Sequence, residues 1–258
     1  MDRFATSDGV AVAYHRFEPD DVAPALPVVV LQHGFAADTQ SNWVSTGVVA
    51  ALLAAGRRVM SVDARGHGAS DKPHDRASYG EARMSRDLVE LLDALEVDEL
   101  DLVGYSMGAI ISVIAATTEC RIRRMVIGGI GGRVARYGGG PPVGLDRMAI
   151  AGGLLADDPS TITDPSARAF RRFADSTGAD RRALAAQMQA AHTSKIALAE
   201  ITAATLLLVG DRDALAALPD ELAAAIPGCR VQIAPGDHLS VVAAPEFVSS
   251  LVGFLGER

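Results

Sequence analysis

Gly104-Tyr105-Ser106-Met107-Gly108 is the stretch that decides the fold of this 258-residue chain. Residues 99–103 before it end in an apolar run that is typical of a short buried strand. Residues 109–116 after it are small and apolar, as in a buried helix. A serine between two glycines at such a strand-to-helix corner is held in a strained backbone conformation with its hydroxyl exposed. The pattern indicates a nucleophilic serine, and the alternative is a serine that only caps the helix.

The composition argues against several classes of partner. Hydrophobic residues make up 49% of the chain, enough for a large core, and the formal net charge of −8 disfavours nucleic acid and anionic membranes. No apolar stretch reaches the length of a membrane span, and residues 1–9 lack the basic start and apolar core of a secretory signal. Cys120 and Cys229 are the only cysteines, and no Cys/His cluster has metal-ligand spacing. We therefore expect a cytoplasmic protein without a bound metal.

Strand and helix patterns alternate along most of the chain. Predicted strands cover an edge hairpin near residues 10–14 and residues 27–31, 58–63, 99–103, 124–128, 205–209 and 230–234. Predicted helices cover residues 48–55, 83–95, 109–116, 219–226 and 247–255. This order predicts an α/β protein with a parallel sheet and right-handed crossovers.

The alternation stops at Gly132 and resumes at Thr205. Three helices are predicted in between, over residues 145–155, 166–176 and 180–192, and no strand. We expect one domain overall, in which residues 1–132 and 201–258 form the core and residues 133–200 a helical cap. Three glycines at 138–140 followed by two prolines at 141–142 predict a hinge at the start of the cap.

The cap also carries candidate pocket residues. The apolar candidates predict a mainly apolar pocket, although most of them are expected only to pack the cap onto the sheet: Met148, Ile150, Leu154, Leu155, Phe170, Phe173, Leu184 and Met188. The cap also contains five arginines, for which two roles are open: all of them are solvated, or one of them contacts a substrate carboxylate. They are Arg168, Arg171, Arg172, Arg181 and Arg182.

The chain resembles the α/β-hydrolase fold superfamily, in its serine-nucleophile branch. Five motifs carry the resemblance in the family's order of nucleophile, acid and histidine: His33-Gly34-Phe35, residues 63–70, Gly104 to Gly108, Gly210 to Asp213, and Asp237-His238. The resemblance implies a mostly parallel sheet of about eight strands, with helices on both faces and a helical cap inserted after the sixth strand. Residues 63–70 are expected to support the site without reacting.

A serine hydroxyl needs a base, because it is a poor nucleophile at neutral pH. Of the six histidines, only His238 follows the last core strand, at the sheet edge where function gathers. Asp211 and Asp213 both follow the strand that ends at Gly210. The resemblance selects Asp213 as the acid, because the family places its acid three residues after that glycine.

The other candidates receive structural roles. Asp211 is expected to cap its turn, and Asp237 is the third choice for the acid, because neighbouring side chains on an extended loop point apart. His33 and His67 lie in glycine-rich turns and are expected to hold loops.

An oxyanion hole needs two preorganised N–H donors. One is expected from the backbone of Met107, directly after the serine. The resemblance implies the second from the backbone of Phe35, after His33-Gly34. The side chains of Phe35 and Met107 then form apolar walls beside the acyl group, which makes both residues candidate substrate-binding residues.

These features predict a cofactor-independent serine hydrolase that cleaves a small-molecule carboxylic ester or lactone through an acyl-enzyme on Ser106. Carbon–carbon bond hydrolases and perhydrolases of the same fold are alternatives, and a ligand-binding signalling protein is an alternative of a different class. Relatives with an aspartate nucleophile, such as haloalkane dehalogenases and epoxide hydrolases, differ from this chain at position 106.

Overall fold

One sheet organises the protein in its structure, a computed structural model that describes residues 1–21, 26–138, 146–190 and 194–257. Its strands in the described residues are β1 (Asp2–Ala5), β2 (Ala11–Phe17), β3 (Val28–Gln32), β4 (Val59–Asp63), β5 (Leu100–Tyr105), β6 (Ile122–Gly128), β7 (Ala204–Gly210) and β8 (Arg230–Ala234). They lie in the order β1-β2-β4-β3-β5-β6-β7-β8, and all pairings from β4 to β8 are parallel. β1 and β2 form the predicted antiparallel edge hairpin, and β2 also pairs antiparallel with β4.

Helices cover both faces of this sheet. The described helices are α1 (Val48–Ala54), α2 (Glu81–Ala94), α3 (Met107–Ala116), α4 (Gly132–Tyr137), α5 (Arg147–Leu155), α6 (Pro165–Thr177), α7 (Arg181–Met188), α8 (Pro219–Ala225) and α9 (Pro245–Gly256). Helices α2, α3 and α8 pack on one face, and α1 and α9 pack on the other. Trp43 is fully buried and lies with α1 and α9. The predicted fold class is confirmed.

The strand order explains where a site can form. β3 lies between β4 and β5, so the chain leaves β3 toward one side of the sheet and later continues from β5 toward the other. Such a reversal opens a crevice at the carboxyl ends of the two strands. Gln32, the last residue of β3, pairs with Gly104 of β5, so the loops that follow the two strands start side by side. These loops carry His33-Gly34-Phe35 and Ser106.

Helices α5 to α7 form a layer with a small apolar core of its own. Ile150, Leu154 and Leu184 are buried there. The three helices begin at Asp146, Asp164 and Asp180, whose carboxylates accept hydrogen bonds from backbone N–H groups of the first turn. These caps explain why each helix begins where it does. The predicted hinge lies outside the described residues apart from Gly138, and so does the end of the predicted helix at residues 191–192.

Helix α4 was not predicted from the sequence. Its first residues, Gly131-Gly132, are typical of a loop, but Gly132 N–H donates to Ala217 O at 3.0 Å. Arg136 makes an ion pair with Glu221 of α8. Tertiary contacts with the α8 region therefore accompany this short helix. The boundary expected between residues 132 and 133 falls in its first turn.

A buried arginine holds the loop after β4. The Arg65 side chain is fully buried and pairs with Asp87 of α2 at 2.6 Å and with Asp8 at 2.9 Å. The hydrogen bond from Arg65 lowers the pKa of Asp8 well below its usual range. Residues 63–70 thus form a braced support under the crevice.

We predict that Gly108→Ala destabilises the fold, because a Cβ atom at position 108 would collide with the Gln32 carbonyl of the neighbouring strand. Overpacking against fixed backbone costs about 1–3 kcal/mol. Gly152→Ala is the control, because a Cβ atom there meets nothing within 4 Å, and alanine is favoured over glycine in a helix by about 1 kcal/mol. Urea unfolding should show a loss for the first variant and a small gain for the second. Equal stabilities would contradict this account.

Candidate active site

Ser106 lies between the last residue of β5 and the first residue of α3. Its backbone has φ 53° and ψ −114°, a conformation that residues with a side chain rarely adopt. Ser106 N–H donates to Gly128 O at 2.8 Å, which ties the corner to the end of β6. The predicted strand-to-helix corner is therefore present, and it is strained.

The two flanking glycines allow the close packing at this corner. A Cβ atom at Gly104 would collide with Ser112 Oγ and with the Gly108 carbonyl. A Cβ atom at Gly108 would collide with the carbonyl groups of Gln32 and His33. Both glycines are thus required because β5, α3 and the end of β3 approach one another so closely.

The structure brings together three residues expected from the sequence: Ser106, His238 and Asp213. His238 Nε2 lies 3.0 Å from Ser106 Oγ. His238 Nδ1 lies 3.0 Å and 2.9 Å from the two carboxylate oxygens of Asp213, whose side chain is fully buried. The carboxylate accepts the Nδ1–H bond, so Nε2 is left to accept the serine proton.

The two other acidic candidates make backbone contacts. Asp211 Oδ1 accepts from Gly236 N–H at 2.8 Å, joining the loops after β7 and β8. Asp237 Oδ1 accepts from Leu239 N–H at 3.1 Å and from Ser240 N–H at 2.9 Å. Both carboxylates shape the loop that carries His238, as the turn-capping interpretation expects for Asp211.

Tyr105 holds the histidine loop, a role that the sequence left open. Its hydroxyl donates to the backbone carbonyl of His238 at 2.6 Å, and its ring lies 5.3 Å from the imidazole. Burial raises the pKa of Tyr105 well above its usual range, so the phenol keeps the proton that makes this bond. The residue before Ser106 therefore positions His238.

Phe35 and Met107 both border Ser106. Gly34 N–H donates to Asn42 Oδ1 at 2.9 Å, which fixes the turn that leads into Phe35. Met107 is the first residue of α3, and an N–H at that position has no acceptor within its own helix. The two residues expected to supply oxyanion donors therefore line the same cavity as the serine.

His33 and His67 are buried and neutral, as expected of residues that hold loops. His33 Nδ1 lies 2.8 Å from Gly34 O and donates to it, while Nε2 accepts from Ala64 N–H at 3.0 Å. This pair of bonds requires the neutral tautomer. Burial lowers the pKa of His33, and burial together with the neighbouring His33 lowers the pKa of His67 to about 3.

Ser106 lines two cavities. The Met107 cavity holds about 780 Å³ of space, its open mouth included, and its lining includes Phe35, Ser106, Met107, Ile150, Phe170 and Met188. The Asn42 cavity holds about 610 Å³ on the same basis, and its lining includes Phe35, Asn42, Ser106, Phe170, Phe173 and His238. The rings of Phe35 and Phe170 meet edge to face at 5.7 Å. The serine and this aromatic pair border both cavities.

The predicted pocket residues of the cap divide into three groups. Ile150, Phe170, Phe173 and Met188 line a cavity. Leu154 and Leu184 pack inside the α5–α7 layer. The prediction is wrong for Met148 and Leu155, whose exposed fractions are 63% and 49%, because they lie on the solvent side of α5.

Four polar residues in the lining of the Met107 cavity, its polar wall, were not predicted from the sequence. They are Glu81, Arg133, Arg147 and Gln187, from α2, α4, α5 and α7. The arginines named from the cap sequence are absent from the lining of both cavities in the described part of the chain. No local pattern marks the residues found here, because four separate helices bring them together.

A family model for the α/β hydrolase fold matches residues 27–142. The crystal structure of a hydrolase from Pseudomonas aeruginosa PA01 is 30% identical in sequence with a TM-score of 0.76, and the match covers 99% of this chain and 98% of that one. The chain belongs to the α/β-hydrolase fold family. The structural match over 99% of the chain and the five sequence motifs agree on this membership.

Two curated relatives match part of this α/β hydrolase. Epoxide hydrolase A of Mycobacterium tuberculosis is 36% identical over 34% of this chain and 26% of its own length. The 2-hydroxy-6-oxo-2,4-heptadienoate hydrolase of Pseudomonas putida is 34% identical over 49% of this chain and 44% of its own length. The chain thus spans less than half of the length of these two relatives.

Two kinds of feature are absent from the described residues. No group of three or more His, Cys, Asp or Glu side chains there is arranged to hold a metal ion. Within the same residues, none of the helices combines the length and the apolar character needed to cross a membrane.

We predict that the free energy of unfolding decreases as the pH falls below about 6.5. The unfolded chain protonates His67 near pH 6.5, whereas the folded protein resists protonation down to about pH 3, so acid favours unfolding in this window. One such histidine contributes a slope of about 1.4 kcal/mol per pH unit. Urea unfolding between pH 7.5 and 4.5 measures it. His67→Gln should reduce the slope of unfolding free energy against pH by about 1.4 kcal/mol per pH unit, the effect of one proton. An unchanged slope would contradict the buried neutral state of His67.

Proposed function

We propose that this α/β hydrolase cleaves a carboxylic ester or lactone through an acyl-enzyme on Ser106. The observation that carries the proposal is the hydrogen-bonded chain from Ser106 Oγ through His238 to the buried Asp213. A serine activated in this way attacks acyl carbons.

Acylation uses His238 first as a base and then as an acid. Ser106 Oγ attacks the carbonyl carbon, and its proton passes to His238 Nε2 over the 3.0 Å contact. The bond from the carbonyl carbon to the alcohol oxygen then breaks, and His238 gives its proton to that oxygen. Asp213 accepts the Nδ1–H bond throughout and stabilises the imidazolium.

The developing oxyanion is stabilised by the backbone N–H groups of Phe35 and Met107. Such a donor contributes about 3–4 kcal/mol to the transition state in the best-measured cases. Asn42 supports the first donor by holding Gly34 N–H, and the start of α3 supports the second.

Deacylation repeats the steps with water. His238 takes a proton from water, the hydroxide oxygen attacks the acyl carbon, and the bond to Ser106 Oγ breaks. His238 returns the proton to the serine, and the carboxylic acid leaves. Both half-reactions use the same base and the same donors.

The two cavities suggest which part of the substrate lies where. His238 must reach the leaving alcohol, and His238 lines the Asn42 cavity, so we place the alcohol part there. The acyl part then lies in the Met107 cavity. Because Phe170 borders both cavities, helices α5 to α7 act as a cap that sets specificity.

Carbon–carbon bond hydrolysis is the second candidate, favoured by the match to the heptadienoate hydrolase. Epoxide opening through a covalent ester would need a carboxylate nucleophile, and this chain has Ser106 at that place. A panel of esters, lactones, a vinylogous diketone and a peracid assay separates the candidates. A signalling protein would instead show at most a single slow turnover.

We predict that a fluorophosphonate labels Ser106, because its Oγ displaces fluoride from phosphorus with His238 as the base. Ser106→Ala should lose the label and ester turnover together. Ser41→Ala is the control, since Ser41 also lines the Asn42 cavity but bonds to Asp38. Mass spectrometry of labelled peptides measures the outcome. Labelling of the Ser106→Ala protein at the wild-type level would refute the assignment.

The two aspartates after β7 should differ sharply. Asp213→Asn leaves the imidazole in the wrong tautomer, and we expect turnover to fall by about 10⁴-fold. Asp211→Asn keeps an amide oxygen that can accept from Gly236 N–H and loses the ion pair with the exposed Arg212, so its turnover should stay within about tenfold of wild type. Ester hydrolysis under saturating substrate gives the comparison. The reverse order of effects would move the acid role to Asp211.

A further inference from the structure

The Met107 cavity is lined mostly by aliphatic and aromatic side chains, apart from one polar wall. Arg133, Arg147 and Glu81 are the ionisable residues in its described lining. A buried cation that lacks a hydrogen-bonded carboxylate is stabilised when an anion enters.

Arg147 has donor capacity to spare. Its Nε–H donates to Met188 O at 2.9 Å, which holds the side chain against the end of α7. Its contact with a carboxylate in the described residues is from Nη2 to Glu81 Oε1 at 3.8 Å, longer than a hydrogen bond. A guanidinium in this state can present a pair of parallel N–H groups to a carboxylate.

Burial opposes the charge of Arg147. Only 16% of its side chain is exposed, and burial lowers the pKa of its guanidinium, with Glu81 opposing that shift. Glu81, at 3.8 Å and without a hydrogen bond to Arg147, therefore compensates the charge of the buried guanidinium only partly. A second anion would complete the compensation.

Gln187 provides an independent observation at the same wall. The residue is 1% exposed, and its Oε1 has no hydrogen-bond partner among the described residues. Its amide nitrogen contacts the thioether sulfurs of Met84 and Met107, which are weak acceptors. A buried amide without a strong partner at either end points to a polar group that arrives with a ligand.

Side-chain and backbone contacts connect the polar wall to the residue after Ser106. Met107 follows Ser106 in sequence and touches Gln187, and Gln187 precedes Met188, whose carbonyl holds Arg147. Ser106, Gln187 and Arg147 line the same cavity, so one ligand can contact all three.

We propose that the substrate is an ester or lactone whose acyl chain ends in a carboxylate, held by Arg147 with Gln187 at its side. The proposal rests on the acyl-enzyme function proposed above. It differs from the sequence expectation, which sought an arginine in α6 or α7. Here the arginine belongs to the first turn of α5, with Arg133 as a second cation of the same wall.

The test compares monophenyl esters of glutaric, adipic and pimelic acid with the same compounds carrying a methyl ester on the remote carboxylate. Phenol release gives kcat/KM for each. For the best chain length, the acid should exceed its methyl ester by at least tenfold. A ratio near one in the wild-type enzyme would overturn the proposal.

Four variants locate the effect. Arg147→Gln should lower the ratio at least tenfold, and Arg147→Lys should keep part of it, because the charge remains. Glu81→Gln should raise the ratio, because it removes the carboxylate that lies 3.8 Å from the Arg147 guanidinium, so it tests the proposal even where Arg147→Gln fails to fold. Arg172→Gln is the matched control on an exposed arginine of α6 and should leave the ratio unchanged. An equal fall for both esters in Arg147→Gln would refute the carboxylate contact.

Binding separates this proposal from the function on which it rests. Titration calorimetry on the Ser106→Ala protein with monomethyl and dimethyl adipate needs no turnover. Preference for the monoester that Arg147→Gln abolishes supports the site even where no ester is hydrolysed, which would sink the acyl-enzyme proposal alone. Equal binding of both compounds, together with Ser106-dependent hydrolysis of neutral esters, would sink the carboxylate site alone.

Discussion

The left-handed backbone of Ser106 is the constraint from which the rest of the site is built. A residue with a side chain in such a conformation costs about 1–3 kcal/mol, and the surrounding packing must hold it there. The closeness of β5, α3 and the end of β3, possible only because positions 104 and 108 are glycine, provides that packing. In return, the hydroxyl points away from its own strand and toward the loop that carries the histidine.

Several side chains outside this corner fix the positions of the loops that surround Ser106. Tyr105 fastens the histidine loop, Asn42 fastens the turn before Phe35, and the buried Arg65 braces the loop after β4. These bonds are made by groups whose charge state is stable near neutral pH. The tyrosine keeps its proton and the buried histidines stay neutral.

The fold and the central site residues could be predicted because short, continuous sequence patterns mark them. Apolar runs mark β5 and α3, and the positions of Ser106, Asp213 and His238 follow strand ends that the same patterns reveal. The polar wall of the Met107 cavity could not be predicted in this way. Arg147 begins a helix and Glu81 begins another, so each is typical of an ordinary helix terminus, and their meeting depends on how the α5–α7 layer packs. Helix α4 was missed for a similar reason, since its contacts to the α8 region lie far away in sequence.

Phe35 joins two tasks in one residue. It lines both cavities that Ser106 borders, and its ring meets Phe170 of α6 edge to face. A substitution at position 170 that reshapes either cavity therefore also changes the support of Phe35. A change of substrate preference through position 170 is therefore coupled to the rate of turnover. Each substitution along such an evolutionary path has to satisfy both requirements.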